Sequence, residues 1–85
     1  MTSHVDGNAL AGPLSEVFEF DVTTASARCT TCGDTSELAR SMVYEKPHAL
    51  IARCSACDSV LLVVLQKHDA TEIDSSGISW MRLPR

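Results

Sequence analysis

The chain has 85 residues, with eleven acidic and seven basic side chains and a formal charge of −4. That length forms one small domain with a modest core, and the negative balance excludes a global attraction to nucleic acid or anionic membranes. The longest apolar run, Val60 to Leu65, falls far short of the about 20 residues that span a bilayer.

Charge is unevenly spread. Residues 1–28 carry four acids (Asp6, Glu16, Glu19, Asp21) against Arg28, whereas residues 29–85 hold seven acids and six bases. The break near Thr23-Thr24 separates two parts of a single domain, 1–85. In the first part Leu10, Leu14, Val17 and Phe18 recur at helical spacing, so residues 6–20 are expected to be a helical N-terminal segment. Gly12-Pro13 is a turn signal, and Pro13 either opens a second helix in its first turn or kinks a single one. The apolar stripe is expected to pack on the rest of the domain, with a partner-binding face as the alternative.

Residues 22–28 read as an extended lead-in to Cys29-Thr30-Thr31-Cys32-Gly33. The pattern returns at Cys54-Ser55-Ala56-Cys57-Asp58, with 21 residues between Cys32 and Cys54. All four cysteines of the chain lie in these two Cys-x-x-Cys hooks. Each hook brings two sulfurs to one side of a tight bend, and two hooks complete the four-thiolate tetrahedron that Zn²⁺ accepts. The gap slightly exceeds the roughly 15–20 residues usual between paired hooks, yet it admits one antiparallel hairpin. Cys29, Cys32, Cys54 and Cys57 are therefore the expected ligands of one structural zinc ion. The residue after the second cysteine often takes positive φ, so that backbone N–H groups can point at sulfur. Gly33 does so without steric cost, and Asp58 is among the few other residues that tolerate it.

Two disulfides would require an oxidising compartment. The opening Met1-Thr2-Ser3-His4-Val5-Asp6-Gly7 has neither the basic nor the apolar region of a signal peptide, so a cytoplasmic location is expected. A thioredoxin-like redox hook would need to start a helix in a βαβ setting.

Between the hooks, Glu37 to Tyr44 alternates loosely, with Leu38, Met42 and Tyr44 on one side and Ala39, Ser41 and Val43 on the other. Glu45-Lys46-Pro47-His48 turns the chain, and Ala49 to Arg53 returns as a strand. Val60 to Leu65 reads as a strand covered on both faces in the middle of the sheet. After a turn at His68-Asp69-Ala70, residues 70–83 supply an additional strand pair. It comprises a short strand at Ile73, a turn at Asp74-Ser75-Ser76-Gly77, and a closing strand from Ile78 to Leu83 that carries Trp80.

Hook, strand, turn, strand, hook, strand resembles the zinc ribbon over residues 27–67, on the strength of Cys29, Cys32, Gly33, Cys54 and Cys57. The resemblance implies a small metal-stabilised β-rich domain, an antiparallel sheet of three to five strands, here with an N-terminal helix. Zinc ribbons occur among transcription, translation, replication and protein-assembly factors. Through Asp-Gly-Asn-Ala-Leu-Ala-Gly (Asp6 to Gly12) and Leu-x-Glu-Val-Phe (Leu14 to Phe18), the whole chain is also similar to a family of short uncharacterised bacterial zinc-ribbon proteins.

Arg28 and Arg53 each precede the first cysteine of a hook. They either offset the formal −2 of a Zn(Cys)₄ centre by donating to sulfur or nearby carbonyls, or are solvated strand residues. His48 is a turn bystander beside four better-placed ligands, and His4 and His68 have no assigned role. Trp80 is expected to be core, with a partner anchor as the alternative. Arg40, Lys46, Arg53, Lys67 and Arg82 are interspersed with acids, as on an ordinary mixed surface.

Four cysteines close a zinc shell, leaving no position for catalytic water, and no nucleophile triad or phosphate-cradling loop appears. The expectation is a non-enzymatic module with an unknown protein partner. Alternatives are a nucleic-acid-binding ribbon, disfavoured by charge, and a rubredoxin-like electron carrier with iron in the same cage. The electron carrier is opposed by an aromatic content of 5% and by Asp58 where glycine is usual. The ribbon half is expected to be largely unfolded without metal.

Overall fold

Short β-favouring runs broken by turn residues fold here as successive hairpins. The computed structural model describes residues 5–10 and 22–83. The strands are β1 (Val5–Asp6), β2 (Ser26–Cys29), β3 (Thr35–Glu37), β4 (Met42–Lys46), β5 (Ala49–Arg53), β6 (Val60–Gln66), β7 (Thr71–Asp74) and β8 (Ile78–Arg82). They form two antiparallel sheets, ordered β1-β4-β5-β6-β7 and β3-β2-β8. No α-helix occurs among the described residues.

The expected helix over 6–20 is therefore corrected where it can be seen. Asp6 closes β1, which pairs with β4, and Gly7–Leu10 is a single 3₁₀ turn. Backbone pairing of Asp6 with Met42 takes precedence there over the helical spacing, which still buries Leu10 completely. Residues 11–21 lie outside the described part.

The strand expected from Glu37 to Tyr44 is broken by a 3₁₀ turn at Leu38–Arg40. The Ser41 N–H and hydroxyl both donate to the Leu38 carbonyl, at 3.0 and 2.7 Å. This turn changes the phase of the alternation, so Leu38 and Val43 both enter the core while Met42 and Tyr44 face outward. In the following hairpin β4 runs on through Glu45 and Lys46, so the turn is narrower than the sequence suggests: Lys46 pairs with Ala49 across Pro47-His48 alone.

β6 lies between β5 and β7 but is not covered on both faces. Ala52 pairs with Leu62 and Arg53 with Val60, leaving Leu61 as the extra residue of a bulge. The bulge lets consecutive Leu61 and Leu62 both turn inward, while Val60 and Leu65 stay exposed. The inner rows of the larger sheet, Val43-Ala52-Leu62 and Leu50-Val64, meet Ala27 of the smaller sheet, with Met81 packed at the margin.

β7 and β8 do not pair with each other as residues 70–83 suggested. β7 completes the larger sheet against β6, and β8 crosses to pair with β2. Trp80 is also not core; it is 38% exposed. Pairing of Met81 with buried Ala27 fixes the inward phase of β8 and turns Trp80, opposite Arg28, to the outer face.

Candidate metal centre

Each hook is the turn of a hairpin, the first between β2 and β3 and the second between β5 and β6. The two turns repeat one backbone pattern. Cys29 N–H donates to the Asp34 carbonyl and Gly33 N–H to the Cys29 carbonyl, both at 2.9 Å. Cys54 N–H donates to the Ser59 carbonyl and Asp58 N–H to the Cys54 carbonyl, both at 2.8 Å. The closing residues take the left-handed conformation, Gly33 at φ 78° and Asp58 at φ 66°. After Gly33 the Asp34 N–H points at Cys32 Sγ, at 3.5 Å, and within the second hook the Ala56 N–H donates to Cys54 Sγ at 3.4 Å.

The hooks face each other. Cys29 and Cys57 sulfurs lie 3.6 Å apart, and those of Cys32 and Cys54 lie 3.7 Å apart. All four sulfurs fall within 4.8 Å of one another, and all four cysteines are free thiols. Zn–S bonds of about 2.3 Å make a tetrahedron with edges of about 3.8 Å, so this donor set fits such an ion. Cys29 and Cys54 are buried in the core, whereas Cys32 is exposed. His48 and His68 are exposed in turns and do not join the cluster; His4 lies outside the described residues.

Two of the cysteines are driven in opposite directions. Cys57 is lowered to about 6 because the Ser59 hydroxyl and backbone N–H favour its thiolate. For Cys32 the Asp34 N–H also favours the thiolate, but desolvation and the sulfurs of Cys57, Cys54 and Cys29 outweigh it and push the thiol up to about 12. A cation among the sulfurs removes that conflict, because coordinated thiols are deprotonated outright.

The two arginines sit at matched places. Arg53 Nη1 donates to the Asp58 carbonyl at 2.9 Å, with the Asp58 carboxylate 3.9 Å away. Arg28 lays its guanidinium over Gly33, its Nη2 lying 3.4 Å from where a Cβ there would stand. Each therefore reaches the left-handed residue of its own knuckle. Arg53 thus donates to a nearby carbonyl, one of the two roles set out above.

Two supports were not legible from spacing. Ser59 acts on Cys57, two residues beyond it, and a polar residue following a knuckle is its only sequence signal. The second support comes from Gly77, whose carbonyl accepts from Thr30 N–H at 3.0 Å and Thr30 Oγ1 at 3.2 Å inside the first hook. A Cβ on Gly77 would stand 1.9 Å from the Val60 carbonyl oxygen, so only glycine lets this turn press against β6. It joins the first hook to the larger sheet.

No helix among the described residues is long and apolar enough to cross a membrane. No curated protein and no solved structure matches the chain. The family of unknown function DUF6510 matches residues 1–85, and the chain belongs to that family.

Proposed function

We propose that the chain is a non-enzymatic zinc-ribbon module in which Cys29, Cys32, Cys54 and Cys57 hold one structural Zn²⁺, and that it works through contact with another protein. The observation that carries this reading is the meeting of two hairpin turns with the same backbone pattern, four free thiols within 4.8 Å of one another. Four sulfur donors saturate a tetrahedral ion and leave no position for water or substrate, which favours scaffolding over catalysis. Zinc is preferred to iron because Asp58 replaces the usual knuckle glycine and the chain has few aromatic residues to pack beside the cage. A reducing compartment such as the cytoplasm suits four unpaired thiols.

Metal analysis and the absorption spectrum of the purified protein test this. One equivalent of zinc and a colourless solution are the expected result. A red ferric chromophore would instead make it an electron carrier, and a metal-free, folded protein would remove the structural role altogether.

A further inference from the structure

We propose that the outer face of β8, and the edge that no other described strand covers, receive an extended acidic segment of a partner protein. This rests on the protein-contact reading above and gives it a surface. Register places Arg28 opposite Trp80 and Ser26 opposite Arg82, so two arginines and the tryptophan share one solvent-facing side of the smaller sheet. The Arg82 guanidinium lies over the indole, 5.4 Å from its centroid. A half-exposed tryptophan among arginines is the composition of a binding anchor.

The edge is equally unusual. Among the described residues, β8 has β2 on one side and no strand on the other. From Ile78 to Met81 it carries no charged side chain, and Leu83 just beyond is also exposed. β7, an edge of the larger sheet, instead carries Glu72 and Asp74, with Glu72 3.0 Å from Lys67. Charged residues of that kind deter strand addition; β8 lacks them along most of its length. The backbone groups of Ser79 to Arg82 on the side away from β2, which no described strand pairs, can take up an extended peptide, whose alternate side chains then fall on the Trp80 face.

Charge selects the occupant. The whole chain is at −4, yet this face presents Arg28 and Arg82 against Glu37 on the far strand. An acidic peptide is drawn here and repelled elsewhere. A second copy would offer this face another of the same sign, without the opposite charge that an acidic peptide supplies. A long nucleic-acid strand would run over the negative body and make no use of the backbone edge.

Trp80 is the only tryptophan of the chain, so its fluorescence reports on the face directly. Zinc-loaded protein is titrated with a short peptide alternating Glu with Val and Phe, with the same peptide carrying Lys for Glu, and with a thymidine single strand. The Glu peptide should shift the Trp80 emission with a salt-sensitive affinity. Arg82→Glu should weaken that binding by about tenfold and shift preference to the Lys peptide. Metal content and circular dichroism of the variant certify that it is folded. Equal binding of both peptides, binding of neither, binding of the thymidine strand alone, or a concentration-dependent dimer that masks Trp80 each overturns the proposal. A protein that takes up zinc but ignores the Glu peptide refutes this surface and leaves the metal centre standing; one that takes up no metal refutes the metal-centre reading first.

Discussion

Gly77→Ala is the sharpest test of how the two sheets are joined. The new Cβ would stand 1.9 Å from the Val60 oxygen and 2.8 Å from both Val60 C and Leu61 Cα. These are backbone atoms, so no rotamer change relieves the clash. Ordinary contact begins near 3.4 Å, so the turn must retreat by roughly 1.5 Å. Such a shift takes the Gly77 carbonyl beyond reach of Thr30, which now bonds it at 3.0 and 3.2 Å. Overpacking costs about 1–3 kcal/mol, and each lost hydrogen bond about 0.5–1.5 kcal/mol. Reduced freedom of the unfolded chain returns about 0.4–1 kcal/mol. The net loss is about 1–6 kcal/mol, and at about 4–8 °C per kcal/mol for a domain of this size a mid-range loss of about 3 kcal/mol lowers Tm by about 12–24 °C. Thermal denaturation of the zinc-loaded protein followed by circular dichroism measures it, alongside zinc affinity by chelator competition. A midpoint that stays at the wild-type value would show that the turn does not bear on β6 as described.

Removing the metal should collapse the strand signal in far-ultraviolet circular dichroism, since a structural zinc contributes about 10–16 kcal/mol in small zinc peptides, as much as the about 5–15 kcal/mol stability of a whole domain; an unchanged spectrum after chelation refutes the keystone role. Arg53→Ala should weaken zinc binding by about tenfold through loss of its bond to the Asp58 carbonyl, and an unaltered affinity would return Arg53 to a plain solvated residue. Zinc affinity should fall with acidification, because protons compete for the sulfurs. Cys57, lowered to about 6, is mostly thiolate at neutral pH. Ser59→Ala lets that thiol rise toward its ordinary value of 9.0. The backbone N–H at position 59 still favours the thiolate, so zinc binding at pH 7 displaces a further fraction of a proton, and competition titrations should show a steeper pH dependence between about 6 and 9. An unchanged slope counts against the Ser59 contact. Gly33→Ala should cost about 1–2 kcal/mol for a side chain at φ 78°, read from chemical denaturation of the loaded protein.

The cysteine cluster was legible because its geometry is local. Two cysteines three apart, followed by Gly33 or Asp58, fix a hook without help from the rest of the chain, and both positive φ values followed from residue type. The β5 boundaries, Ala49–Arg53, came from punctuation by Pro47-His48 and Cys54. What failed was phase and partnership. The 3₁₀ turn at Leu38 and the bulge at Leu61 each reset an alternation that looked regular in sequence. Trp80 looked like core because large aromatic residues usually are, but a neighbouring pair, Met81 with Ala27, decided which way it faces. The choice of β8 to pair with β2 rather than β7 rests on contacts between residues some 50 positions apart, to which no local pattern responds.

The bond from Thr30 to Gly77 has a bearing on how the molecule comes into being. In chain order all four thiols lie within residues 29–57, and the second knuckle has both of its strands, β5 and β6, by Gln66. The first knuckle is anchored by a turn translated twenty residues later than Cys57. The second knuckle is thus complete on local hairpin contacts, whereas the first is finished only when the C-terminal strand docks against β2.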